Sequence, residues 1–143
     1  MATSATYSVS RPIRILVVDD SRTFRWLLHR LFNSCSGLTV VGEAEDGQSA
    51  IEMASRLSPQ VITMDVQMPR LGGVEATRRI KKALPKVHVI GVSLGNDIAT
   101  RGAMEMVGAS AFIGKEFAHT LPQVIAKITG SEELEEAFLA RQL

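Results

Sequence analysis

Five polar residues of this 143-residue chain stand just past short apolar, β-branched runs. Asp19 and Asp20 follow IRILVV, Asp65 follows VITM, Ser93 follows the run that begins at Val87, and Lys115 lies just beyond SAFI. Three carboxylates brought together repel one another and raise each other's pKa unless a divalent cation compensates. A hard ion such as Mg²⁺ suits them, held by one or two carboxylates, a backbone carbonyl and waters. A carboxylate is also a nucleophile toward a phosphoryl group, giving an aspartyl phosphate while metal and ammonium neutralise the transferring oxygens. Ser93 would donate a hydrogen bond to one of those oxygens. Singly, each acid is explained as an N-cap or turn residue, Asp20 most readily. The five together are not.

Holding these residues on one rim requires strands and crossover helices in alternation, and the hydrophobic pattern supplies them. Strands are expected at Ile13 to Val18, Leu38 to Gly42, Val61 to Met64, Val87 to Val92 and Ser110 to Ile113. Between them the spacing predicts five helices: one opened by Ser21 with Phe24, Leu27, Leu28 and Leu31 at intervals of three and four, and one from about Ser49 to Leu57 burying Ile51, Met53 and Ala54. A third runs from Val74 to about Ala83, a fourth through Ala99, Met104 and Met106 to Gly108, and a fifth from Ala118 to Ile128. Right-handed crossovers then give a parallel sheet covered on both faces, a three-layer α/β sandwich. Ligands of such sheets bind beyond the carboxyl ends of the strands, where these polar residues stand. Met1 to Ser10 is polar and small and is expected to be a disordered tail, residues 1–11. After Gly130, SEELEEAFLARQL reads either as a frayed tail over 130–143 or as a short helix with Leu134, Phe138 and Leu139 apolar.

The length allows one compact domain, since domains run to about 100–200 residues. A hydrophobic fraction of 45% with 22% charged residues excludes a disordered or collagen-like chain. One cysteine, Cys35, and three scattered histidines make neither a disulfide nor a Cys/His zinc site, which fits a reducing cytoplasm and leaves oxygen as the metal donor. A net charge of +1 gives no reason to expect nucleic acid as a partner, and no apolar run long enough for a membrane span or signal peptide is present. The Arg78, Arg79, Lys81, Lys82 cluster reads as the solvated face of a helix.

ILVVDDS, the third-strand exit DVQMPRLGG, the serine ending the fourth strand and GASAFIGK resemble the receiver domain of two-component response regulators, over about Arg11 to Ile128. DSRTFRWLL and VITMDVQMPR are similar to receivers of chemotaxis methylesterases, and the acidic Glu116 after the lysine is similar to LuxR-type regulators. The resemblance implies a flavodoxin-like sheet of order 2-1-3-4-5 and a receiver domain spanning residues 12–129. It implies Asp65 as phosphoacceptor, and Mg²⁺ held by Asp20 and Asp65 with Asp19 assisting and a backbone carbonyl from Gln67. Ser93 would be the switch hydroxyl, Lys115 the partner of the phosphoryl group and Phe112 the aromatic that changes rotamer. It also implies a histidine kinase or phosphotransfer protein as donor, a downstream protein on the face of helix four, strand five and helix five, a possible homodimer, and no catalysis beyond the chain's own phosphorylation and dephosphorylation.

Gly72 stands where such receivers usually carry Asp, with Gly73 expected to keep the flexible position, and Glu116 stands where many have Pro. Leu94 replaces a small residue beside the switch hydroxyl, so Leu94 and Gln67 are candidate modulators of phosphoryl turnover. Two rivals compete. A phosphorylation-independent docking or dimerisation module is the first. The second is a serine hydrolase, because GVSLG matches a nucleophile elbow and Ser93, Asp97 and His119 could be written as a triad. Against it, Asp97 lies within one turn of Ser93 and the rim aspartates go unexplained. Trp26 reads as partial core and His29 and His88 as surface or satisfied histidines.

Overall fold

A computed structural model describes residues 11–95 and 97–141. The tail expected over 1–11 lies, apart from Arg11, outside the described residues. Strands β1 (Ile13–Val18), β2 (Leu38–Ala44), β3 (Val61–Asp65), β4 (His88–Ser93) and β5 (Ala111–Gly114) form one parallel sheet of order 2-1-3-4-5. Helices α1 (Arg22–Asn33), α2 (Gly47–Leu57), α3 (Gly73–Ala83), α4 (Ile98–Met106), α5 (Leu121–Thr129) and α6 (Glu132–Arg141) accompany it. The expected three-layer sandwich is present, with six α-helices among the described residues where five were predicted.

Alternation along the strands sorts the core into two halves. Ile13, Ile15 and Val17 of β1 point into a cluster with Leu28 and Phe32 of α1, Leu121 and Ile125 of α5 and Leu134 of α6. Leu16 and Val18 point the other way, toward Ala50, Ala76, Ile80, Met104 and Phe112. β3 is buried along its whole length, as a central parallel strand must be.

Several boundaries move, each for a visible reason. α2 starts at Gly47 because the Asp46 carboxylate accepts the Ser49 N–H at 2.8 Å and caps the helix. The fifth helix begins at Leu121, with Pro122 in its first turn; the predicted start near Ala118 is instead a 3₁₀ segment, Lys115–Thr120. β3, β4 and β5 each run one residue further than expected, to Asp65, Ser93 and Gly114, because sheet pairing continues there. Leu27 and Met106, placed on apolar faces by periodicity, are 49% and 87% exposed, and Ile51 and Met53 are only partly buried. Trp26 is also exposed, with the Arg30 guanidinium 5.1 Å from its ring centre. α4 is held to the body by one buried side chain, Met104, and Gly102 in its middle faces open space. Lys81 leaves the solvated face it was assigned to and donates to the Pro85 and Val87 carbonyls at 2.7 and 2.8 Å.

The terminal segment is a helix docked on the body. Leu134 is fully buried in the first cluster and Arg141 donates to the Ser34 carbonyl at 2.6 Å. Leu134→Ala is expected to destabilise the chain by about 2–4 kcal/mol, read as a lower denaturation midpoint. An unchanged midpoint would mean that α6 stands away from the core in solution.

Candidate functional site

Sheet register assembles the rim. Val18 pairs with Met64, so Asp19, one residue on, arrives level with Asp65 on the neighbouring strand; Asp65 pairs with Val92 and Ser93 with Gly114. Adjacent strands lie about 4.8 Å apart, so residues at matched levels on the carboxyl edge are neighbours. Oxygens of Asp19, Asp20 and Asp65 all lie within 4.8 Å of one another. Asp19 and Asp65 are buried and Asp20 is exposed. Lys115, the first residue after β5, brings its ammonium 2.8 Å from Asp19 Oδ2 and 3.8 Å from Asp65 Oδ2.

The Asp19 turn is fixed from several sides. Its N–H donates to the Ala44 carbonyl at 3.0 Å, its Oδ1 accepts the Ser21 N–H at 2.8 Å, and its own carbonyl accepts from Arg25 Nη1 at 2.7 Å. Arg25 is held in turn by Glu43 at 2.7 Å, with His29 Nε2 on the other Glu43 oxygen at 2.9 Å. Burial lifts the Asp65 carboxyl to about 7, with the Asp19 charge adding to the rise and the Lys115 ammonium opposing it. Carboxylates this close, one of them driven toward its neutral form, fit a hard divalent cation. Asp19 Oδ2 is buried and its one close polar neighbour is the Lys115 ammonium at 2.8 Å, so a cation entering the cluster would share this oxygen with the lysine. Asp19, Asp20 and Asp65 are the side chains that could hold Mg²⁺.

The remaining predicted residues are placed as follows. Ser93 is buried at the end of β4, and its hydroxyl donates to the Leu94 carbonyl at 3.2 Å. Leu94 is 77% exposed and Gln67 is exposed, both on loops beside the rim. Phe112 is buried one strand away, with Arg101 5.2 Å from its ring centre. A methyl on Gly91 would come within 2.7 Å of the Phe112 ring, so glycine there gives the aromatic its space. The triad alternative loses its acid, because the Asp97 carboxylate caps α4, accepting from the Ala99 N–H at 3.0 Å and the Thr100 hydroxyl at 2.8 Å. His119 is exposed in the 3₁₀ segment.

Sequence reasoning missed Phe24 and Arg25 as residues of this site. Both sit in the first turn of the helix that follows the aspartates, which was the available signal; Lys115, the partner of Phe24, lies past β5, and Glu43, which holds Arg25, lies on β2.

An open parallel sheet carrying an acidic cluster and a lysine on its carboxyl edge defines the doubly wound α/β class with its ligand site at that edge. The family model of the response regulator receiver domain matches residues 15–129, and the chain belongs to that family. It is similar to protein-glutamate methylesterase/protein-glutamine glutaminase 4 of Myxococcus xanthus, 46% identical over 112 residues, 78% of this chain and 32% of that protein. Response regulator GacA of Pseudomonas protegens is 37% identical over 103 residues, 72% of this chain and 48% of that one. The chain thus spans between about a third and a half of these curated relatives. Among solved structures, the response regulator domain of Thermotoga maritima CheB superposes with a TM-score of 0.75 at 39% identity, covering 85% of this chain and 96% of that one. Among the described residues no helix is long and apolar enough to cross a membrane.

Proposed function

We propose that Asp65 accepts a phosphoryl group from the phosphohistidine of a histidine kinase or phosphotransfer protein. An Asp65 oxygen forms the new bond to phosphorus, the phosphorus–nitrogen bond breaks, and the imidazole leaves with that electron pair and takes up a proton. The observation that carries this is the packing of three carboxylates within 4.8 Å with one ammonium against two of them. Asp19, Asp20, Asp65 and the backbone carbonyl of Gln67 would hold Mg²⁺, which when bound neutralises charge on the transferring oxygens. Lys115 pairs with the phosphoryl group, and the Ser93 hydroxyl leaves the Leu94 carbonyl to donate to a phosphoryl oxygen. Phe112 and the loops after β4 and β5 repack, biasing the face of α4, β5 and α5 toward a protein partner or a second copy. On this reading the chain works in the cytoplasm without contacting nucleic acid and catalyses only its own phosphorylation and dephosphorylation.

Incubation with acetyl phosphate, with and without Mg²⁺, followed by intact mass, tests the proposal. A Mg²⁺-dependent adduct supports it, and no adduct with acetyl phosphate or with candidate kinases transfers the weight to the docking-module reading. Leu94, bulky and exposed beside Ser93, together with Gln67 restricts access of water to the phosphorylated site. Leu94→Ala is expected to speed loss of the adduct several-fold at an unchanged melting temperature; native decay in that variant would remove Leu94 from the account.

A further inference from the structure

The Lys115 ammonium has a third neighbour besides the two carboxylates: the face of the Phe24 ring, its centre 4.6 Å from Nζ. The two partners differ in rigidity. Phe24 stands in the first turn of α1, its N–H donating to the Ser21 hydroxyl at 3.2 Å, and its side chain packs against the first core cluster. Lys115 reaches the site on a four-carbon stem with many rotamers, from the junction of β5 and a 3₁₀ segment. A flexible cation beside a fixed aromatic face is drawn to the ring quadrupole, most strongly where water is excluded, and this lysine side chain is only 12% exposed. An acidic residue in place of Phe24 would add a fourth negative charge to the rim and compete for cations. The ring holds the ammonium while bringing no charge and no lone pair.

We infer that Phe24 is a positioning residue, setting the resting place of the Lys115 ammonium between its ring and the buried carboxylates of Asp19 and Asp65, and so the readiness with which Lys115 meets an incoming phosphoryl oxygen. This rests on the reading of Lys115 as the partner of the phosphoryl group. The ammonium rests nearer Asp19 than Asp65 by 1.0 Å, from 2.8 and 3.8 Å, so a short shift carries it to the phosphoacceptor.

The test replaces Phe24 by 4-fluoro- and 3,4,5-trifluorophenylalanine, which keep the ring's shape and drain its negative face, and adds Phe24→Tyr and Phe24→Leu. Two quantities are read: the proton shift of the Lys115 ε-methylene, and the rate of adduct formation from acetyl phosphate with Mg²⁺. The ε-methylene is expected upfield in the native and Tyr chains and unshifted in the Leu chain. The rate is expected to fall with each added fluorine, by about three- to ten-fold at the end of the series and in the Leu chain, and to be restored by Tyr. A flat rate along the series, or an unshifted ε-methylene in the native chain, overturns the role of Phe24. Lys115→Met separates this from the underlying reading: a native rate in that variant overturns the assignment of Lys115 itself, whereas a slow Lys115→Met chain with a flat fluorination series overturns Phe24 alone.

Discussion

Asp65→Asn is expected to abolish the Mg²⁺-dependent mass adduct and, with Mg²⁺ removed, to make the folded chain more stable at pH 8 than the native one. The first effect follows from deleting the nucleophilic oxygen pair, since an amide forms no acyl phosphate. The second follows from the burial and neighbouring charge that raise the folded Asp65 carboxyl to about 7, against an unfolded value near 3.9. Between those values the folded state holds the proton that the unfolded state has released. The contribution is therefore fully present below about pH 4 and is lost as pH rises to about 7, leaving above that a buried charge that Lys115 offsets only in part. Asparagine removes this charge, so the variant should gain roughly 1–3 kcal/mol at pH 8, about 2–10 °C in melting temperature, and little at pH 4. Mg²⁺ at a hundred times its Kd should return about 2.7 kcal/mol to the native chain and less to the variant. Thermal melts at both pH values, with and without Mg²⁺, check the sign. An adduct that persists in Asp65→Asn would move the nucleophile to another rim carboxylate, and equal melting temperatures at pH 8 would show that the rim charges are already relaxed.

Gly73→Ala is the second large effect, and it acts through the backbone of the same residue. An added methyl at Gly73 would lie 2.2 Å from the Asp65 carbonyl oxygen and 2.8 Å from the Val66 Cα, both main-chain atoms that no rotamer change can move. α3 must then retreat from the end of β3. The expected cost is about 2–4 kcal/mol of stability, as overpacking against fixed atoms exacts. Displacing the Asp65 main chain also misplaces its carboxylate, so adduct formation should slow by about ten- to a hundred-fold even where the variant is folded. Gly72 provides the control: its φ is −74° and a methyl there meets nothing nearer than the Val66 carbonyl at 3.5 Å. Gly72→Ala should melt and react close to native. A Gly73→Ala chain that does the same would show that the β3–α3 junction opens without consequence.

This pair of glycines also shows where sequence reading stops. LGG reads naturally as a turn needing conformational freedom, and Gly73 was expected to keep a flexible position. Its requirement is instead space, because α3 begins against the carbonyl of the phosphoacceptor candidate. Close approach between main chains depends on tertiary placement and leaves no mark in the local pattern beyond the glycine itself. The rim was legible for the opposite reason: β-branched runs locate strand ends, and a parallel sheet sends every strand end to one edge, so Asp19, Asp65, Ser93 and Lys115 could be grouped unseen. Phe24 against Lys115 and Arg25 against Glu43 were not legible, because contacts between a helix turn and a distant strand or strand exit have no period. Leu27 and Met106 carried the right spacing but the wrong side of the apolar stripe, whose edge periodicity alone does not fix.

α4 is joined to the rest of the molecule through Met104 alone among its buried side chains, with Gly102 at its centre and Ile98 and Met106 turned outward. Helices so lightly anchored open without the rest of the fold, and their amide protons report it. In native-state hydrogen exchange the amides of residues 102–106 should therefore trade with deuterium far sooner than those of α1 or α5. α4 would then sample an unravelled state many times for each global unfolding, and anything that closes around the carboxylate rim would be felt first as protection of those few amides.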